Sequence, residues 1–261
     1  MGTVGTSLST SLDGFIAGPN DGPERPLGEG GERLFQWYFG GDTDYTMPSG
    51  TMAVKVSAAS AAMLREAHRT IGALVTGRRT FDITKGWGGR HPLDVPVFVV
   101  THTVPEEWVT DGSPFTFVTD GVERAVAQAK RAAGDKNVGV GAASIVQQCL
   151  KAGLLDEIQI DLVPVLLGAG VHLFDRQGTE PIELERTSVL EAPGVTHLRF
   201  RVVKKQDFRR RQSWWRSPPC CPTPARACGR VGLRAREQDR RSASRTGVLG
   251  CECGRMVLTA G

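Results

Sequence analysis

No apolar run in this 261-residue chain approaches the length of about 20 residues that a membrane-spanning helix requires. A charged N-terminal segment followed by an apolar one is also missing, so the sequence reads as a chain without a secretory leader, working in the cytoplasm. Cysteine is scarce where a fold would need it. Cys149 is the one cysteine before residue 206, which excludes a disulfide framework across the body. It sits on a helical pattern and reads as a small buried apolar residue. The other five, Cys220, Cys221, Cys228, Cys251 and Cys253, lack the paired spacing of a structural zinc site, so no metal is expected. No internal repeat is visible.

Charge is unevenly spread. Residues 1–205 carry 20 Lys and Arg against 24 Asp and Glu, a net of −4; residues 206–261 carry 12 Arg, no Lys and 4 acidic residues, a net of +8. A nucleic-acid role for the whole chain would rest on that tail alone and is not the expected one. The tail has Arg, Pro, Cys, Gly and Ser without apolar periodicity. It cannot bury enough surface to offset its ordering entropy, so disorder is expected there. Its arginine without lysine, with Trp214-Trp215 and Pro218-Pro219 doublets, reads like GC-rich DNA translated in a non-native frame.

The body alternates strand-like and helix-like segments. Val4 to Ala17 reads as a first strand that ends at Asp13-Gly14 and then re-enters an apolar pair, Phe15-Ile16; Gly18 to Gly31 reads as a loop of the kind that covers a site, and Glu32 to Phe39 as a short helix. Gly40 to Gly50 reads as irregular. Helices are expected at 56–70, 79–84, 121–133 and 143–152, the last capped by Gly153. Strands are expected at 71–76, 96–101, 115–119, 137–141 and 158–163. Glu183 to Leu190 and Thr196 to Val203 read as a closing antiparallel hairpin around Pro193-Gly194. The pattern predicts an α/β fold with a mostly parallel central sheet, helices on both faces and an antiparallel edge.

Two glycine-marked strand-to-helix junctions carry the chemistry. The first is Gly77-Arg78-Arg79-Thr80, after the apolar stretch Leu74-Val75-Thr76. The second is Gly139-Val140-Gly141-Ala142-Ala143-Ser144. Such a junction turns backbone N–H groups and the positive end of a helix dipole outward, which suits a phosphate. Two in one domain suit a dinucleotide, and Arg78 and Arg79 stand where a further phosphate can be gripped. Gly77 would let the backbone approach a ligand that a Cβ would obstruct. Thr80 can cap its helix or bond a phosphate oxygen.

The order of these pieces resembles the dihydrofolate reductase-like superfamily, in particular its riboflavin-biosynthesis reductase branch. Ser9-Thr10-Ser11-Leu12-Asp13-Gly14 through Ile16-Ala17 is similar to the family's first-strand signature, and Pro164 to Gly170 followed by Leu173-Phe174 also matches. The resemblance covers residues 1–205. It implies NADPH at the two junctions, with Thr101 and His102 near the adenine ribose and the first strand beside the nicotinamide. It implies reduction of a small heterocyclic or sugar-phosphate substrate, and a homodimer. Asp13 and Glu32 are the candidate catalytic carboxylates, and Trp37 a candidate to stack on the substrate. Glu32 is displaced from the usual spacing, Leu34 stands nearer that place, and Gly139-Val140 occupy the position of the branch's acidic residue. The rival expectation is therefore a cofactor-binding or regulatory protein without turnover, with a basic tail that could meet nucleic acid.

Overall fold

The computed structural model describes residues 2–175 and 181–204. The tail from Gln206 lies outside the described residues, and with it every expectation placed there. Among the described residues there are twelve strands: β1 (Val4–Ser11), β2 (Phe15–Ala17), β3 (Thr43–Thr46), β4 (Ala53–Val56), β5 (Ile71–Gly77), β6 (Val97–Val100), β7 (Phe115–Val118), β8 (Asn137–Val140), β9 (Glu157–Val163), β10 (Val171–His172), β11 (Leu184–Ala192) and β12 (Val195–Val202). Four α-helices join them: α1 (Ala58–Thr70), α2 (Arg78–Ile83), α3 (Val122–Ala133) and α4 (Ala143–Lys151).

The main sheet has eight strands in the order β11-β12-β9-β1-β8-β5-β6-β7. From β9 to β7 every neighbouring pair is parallel, while β12 runs antiparallel to β9 and β11 antiparallel to β12. This is the expected mostly parallel sheet with an antiparallel closing hairpin. Among the described residues no helix is long and apolar enough to cross a membrane.

Helix α3 buries Val122, Ala125, Val126, Ala129 and Ala133, a stripe at helical spacing. With α4 it covers one face of the sheet, in a core that includes Val75, Phe98, Val138, Val140 and Ile145. Helix α2 lies on the other face, where Phe81 packs with Val97, Val99 and Phe115. Burying a ring such as Phe81 contributes about 1.5–3 kcal/mol. Helix α1 starts at the Ser57 cap, whose hydroxyl accepts from Ser60 N at 3.1 Å. Helix α4 ends before Gly153, whose φ of +67° is the left-handed conformation that stops helices. Cys149 is fully buried in that helix, and burial pushes its thiol up to about 12.

The first strand breaks at Asp13-Gly14 and the chain re-enters as β2 at Phe15, as the sequence indicates. Gly14 N returns to Ser11 O at 3.0 Å with Gly14 at φ +86°, and Phe15 N bonds the Ser11 hydroxyl at 3.0 Å, so a tight turn separates β1 from β2. The stretch 40–50 is not wholly irregular. Thr43–Thr46 pairs with Ala53–Val56, and Tyr45, Val54 and Val56 are buried against Leu34 and Trp37. Strand β10, two residues long, pairs with β2.

Candidate functional site

Strands β5 and β8 are neighbours, yet the helices that follow them leave to opposite faces: α2 after β5, α4 after β8. The crevice at the C-terminal ends of parallel strands, where the connections diverge, is where open α/β sheets take ligands. A cavity of about 750 Å³ lies there. Its size falls within the range of about 300–1,000 Å³ for small-molecule sites.

The cavity brings both junctions together. Gly77, Arg78, Arg79 and Thr80 line it from the first, Ala142, Ala143 and Ser144 from the second, and Thr101, His102 and Thr103 from the end of β6. Leu8, Ile16 and Ala17 line it from β1 and β2. The β1 and β6 ends stand three strand spacings apart, roughly 14 Å. The cleft is therefore elongated, apolar toward β1 and cationic toward β6.

Gly139, Val140 and Gly141 do not line it. A Cβ on Gly139 would lie 2.5 Å from Leu74 Cδ2, so this glycine serves the packing of β8 against β5. Val140 is core, and Gly141 N donates to Val75 O at 2.9 Å. Gly77 lines the cavity and also has a packing role. A Cβ there would lie 3.3 Å from Ile145 Cγ1 and 3.6 Å from Ser144 Oγ, so its bareness lets the two junctions close on each other. The residue that bridges β8 and α4 is Ala142, at φ 70° and ψ 130°, a conformation that side chains rarely adopt. The described residues contain no cis peptide bond.

Among the described residues neither α2 nor α4 has a side-chain cap, and their first turns, with Arg78 to Thr80 and Ala143-Ser144, line the cavity. Thr80 is not a cap, because Gly77 holds that position. The Thr76 hydroxyl is buried without a partner, one residue before Gly77 and 3.8 Å from where a Cβ on Gly141 would stand. Both arginines are already engaged. Arg78 donates to Asp82 Oδ1 at 2.7 Å and to Thr103 O at 2.9 Å. Arg79 donates to Asp21 Oδ1 at 2.8 Å and to Asp21 O at 2.9 Å. The Thr101 hydroxyl is turned to Thr103 O at 2.8 Å, while His102 is exposed.

The candidate carboxylates stand elsewhere. Asp13 is outside the cavity lining and accepts from Leu167 N at 3.2 Å and Gly168 N at 2.7 Å. The Ser11 hydroxyl and those two N–H groups hold its pKa down to about 2. Glu32 is exposed on the short 3₁₀ helix Gly31–Tyr38. Trp37, on the same helix, is 4% exposed and donates from Nε1 to Ser9 Oγ at 3.1 Å. It packs in the core beside Tyr38 and does not line the cavity.

The sequence reading missed a buried polar string on that same face. Ser60 Oγ lies 3.0 Å from His197 Nε2, and His197 Nδ1 lies 2.7 Å from Asp161 Oδ1. The three residues are 1%, 3% and 4% exposed. The Ser57 hydroxyl donates to Ser60 Oγ, so Ser60 is left to donate to Nε2 and the imidazole proton belongs on Nδ1, facing Asp161. With so little exposure the string pins α1 to β9 and β12. The available signal was a histidine and an aspartate each at an inward position of a strand.

The chain is 26% identical to the uncharacterized protein YwjB of Bacillus subtilis (strain 168) over 107 residues, which is 41% of this chain; the match spans 60% of that relative's length. In structure it resembles a candidate riboflavin biosynthesis protein from Shewanella sp. PV-4, with a TM-score of 0.58 at 22% identity, covering 78% of this chain and 100% of the other. A more distant likeness, with a TM-score of 0.43 at 14% identity, is to a dihydrofolate reductase from Enterococcus faecalis complexed with NADP(H) and RAB-propyl; it covers 77% of this chain and 97% of that one. Residues 3–198 match the family model of the RibD C-terminal domain, and with most of its length matched the chain belongs to that family.

Proposed function

We propose that the chain is an NADPH-dependent reductase of a small heterocyclic or sugar-phosphate substrate. The observation that carries this reading is the single cleft formed by both glycine-marked junctions. The residues present fit a dinucleotide. The leading N–H groups of α4, at Ala143 and Ser144, would meet the pyrophosphate. Arg78 and His102 stand at the β6 end, where a phosphorylated ribose would lie. Leu8, Ile16 and Ala17 offer an apolar bed for a nicotinamide ring at the β1 end. The reduced nicotinamide would supply the hydride; the protein orients it against the acceptor and keeps water from its reactive face. Asp21, already ion-paired, is the one carboxylate among the described lining residues, so water is the source of the accompanying proton in this reading.

A titration with NADPH and NADH tests it, followed by pterin, pyrimidine and carbonyl acceptors while the nicotinamide absorbance is read. NADPH should bind more tightly and be oxidised by one acceptor class. Failure to bind either cofactor would remove the reading. The exposed Glu32 and the turn-bound Asp13 favour a second one, a protein that binds the cofactor without turnover. Bound NADPH that stays reduced across the whole panel would select it.

A further inference from the structure

The loop from Gly18 to Gly31 folds back on itself. Gly18 N donates to Leu27 O at 2.8 Å, Glu29 N to Pro19 O at 2.8 Å, and Gly22 and Arg25 exchange backbone bonds at 3.1 and 3.0 Å. Its residues Asp21, Pro26 and Leu27 form part of the cavity wall. Asp21 reaches the opposite wall through both its carboxylate and its carbonyl, each held by Arg79 Nη2, and Glu24 of the same loop lies 3.5 Å from Lys85 Nζ just beyond α2. The Asp21 side chain is 15% exposed and that of Arg79 68%. Among the described residues lining the cavity Asp21 is the sole anionic side chain, in a cleft that otherwise offers Arg78, Arg79 and the first turn of α4. A carboxylate on an arginine presents the oxygens that a phosphate would present.

We infer that Asp21 is a built-in competitor for the cofactor's phosphates: its carboxylate holds Arg79 until a phosphoryl oxygen of the dinucleotide takes its place. The exchange sets cofactor affinity and releases the loop end that Arg79 had tied to α2. This rests on the dinucleotide reading of the cleft. The mutual bond is partly solvated, so the competition is modest in size.

The test is a double-mutant cycle on the full chain, titrated with NADPH. Asp21→Asn should tighten NADPH roughly two- to fivefold. In the Arg79→Ala background the same change should do nothing, since there is no arginine left to release. Asp21→Ser repeats the comparison should the asparagine chain not fold, with a thermal melt checking each variant. Unchanged or weaker binding by the charge-removed variants overturns the inference. Equal tightening with and without Arg79 also overturns it, because that would be plain repulsion between Asp21 and phosphate. If the unmutated chain binds no NADPH, the dinucleotide reading itself falls and the exchange falls with it.

Discussion

Gly77 and Ile145 set the spacing of the two junctions: a Cβ on Gly77 would sit 3.3 Å from Ile145 Cγ1, closer than side chains ordinarily pack. Gly77 itself is at φ −94°, ψ 157°, a conformation open to any residue, so backbone freedom is not what requires a glycine. Gly77→Ala should therefore act through packing alone. Overfilling a close contact of this kind costs about 1–3 kcal/mol. We expect a lower Tm and weaker NADPH binding together; binding that weakens with no change in Tm would place the methyl against the ligand rather than against Ile145.

Ala142 gives the opposite expectation. Its φ of 70° and ψ of 130° store strain of about 1–3 kcal/mol, which a glycine would not incur. Glycine costs about 0.5–1 kcal/mol in unfolded-chain entropy. The balance favours Ala142→Gly by about 1 kcal/mol, seen as a higher denaturation midpoint with an unchanged slope. A destabilised variant would show that the Ala142 methyl packs more strongly than the strain opposes it.

The Ser60–His197–Asp161 string predicts a large loss of stability. His197→Leu removes both ring nitrogens and strands the Asp161 carboxylate and the Ser60 hydroxyl in the core. Leaving a buried carboxylate without its partner costs about 3–5 kcal/mol. Asp161 would keep Gln159 Nε2, which donates to Oδ1 at 3.0 Å, so the lower end of that range is expected. Denaturant melts of His197→Leu and Asp161→Asn measure it, and a loss below about 1 kcal/mol would mean water has replaced the missing bonds.

Stability should also fall in mild acid. Burial lowers the pKa of His68 from 6.5 to about 4, and burial together with the nearby His68 charge does the same to His91. His68 Nδ1 lies 2.6 Å from the Tyr45 hydroxyl. Both rings stay neutral in the folded chain while the unfolded chain takes up protons below its own value of 6.5. The contribution is thus whole above pH 6.5 and is lost progressively as pH falls toward 4. Denaturation midpoints across that window should drop, and His68→Gln or His91→Gln should each flatten part of the slope. A flat profile in the unmutated chain would show the rings to be hydrated.

Much of the fold was legible because its signals are local. The α3 stripe, the valine-rich β6 and the Pro193-Gly194 turn each declare themselves within one element. The β3–β4 hairpin was not, since four-residue strands among Gly and Pro carry too few periods, although Val54 and Val56 do alternate inward.

The sequence by itself determined that the body is an α/β sheet, that two glycine-marked junctions leave it, and that no disulfide frame holds it. It did so through side-chain periodicity and backbone permissiveness, which act within a few residues. Only the tertiary structure decided which junction residues face the cleft. Ala142, Ala143 and Ser144 do, whereas Gly139 to Gly141 are spent on packing and pairing against β5, and that depends on Leu74 and Val75 from elsewhere in the chain. It alone decided that Arg79 meets Asp21, 58 residues away, and that Asp161 meets His197 across the β9–β12 register. Electrostatic pairing of this kind acts through space over a few ångströms, and chain separation leaves no trace of it in the sequence.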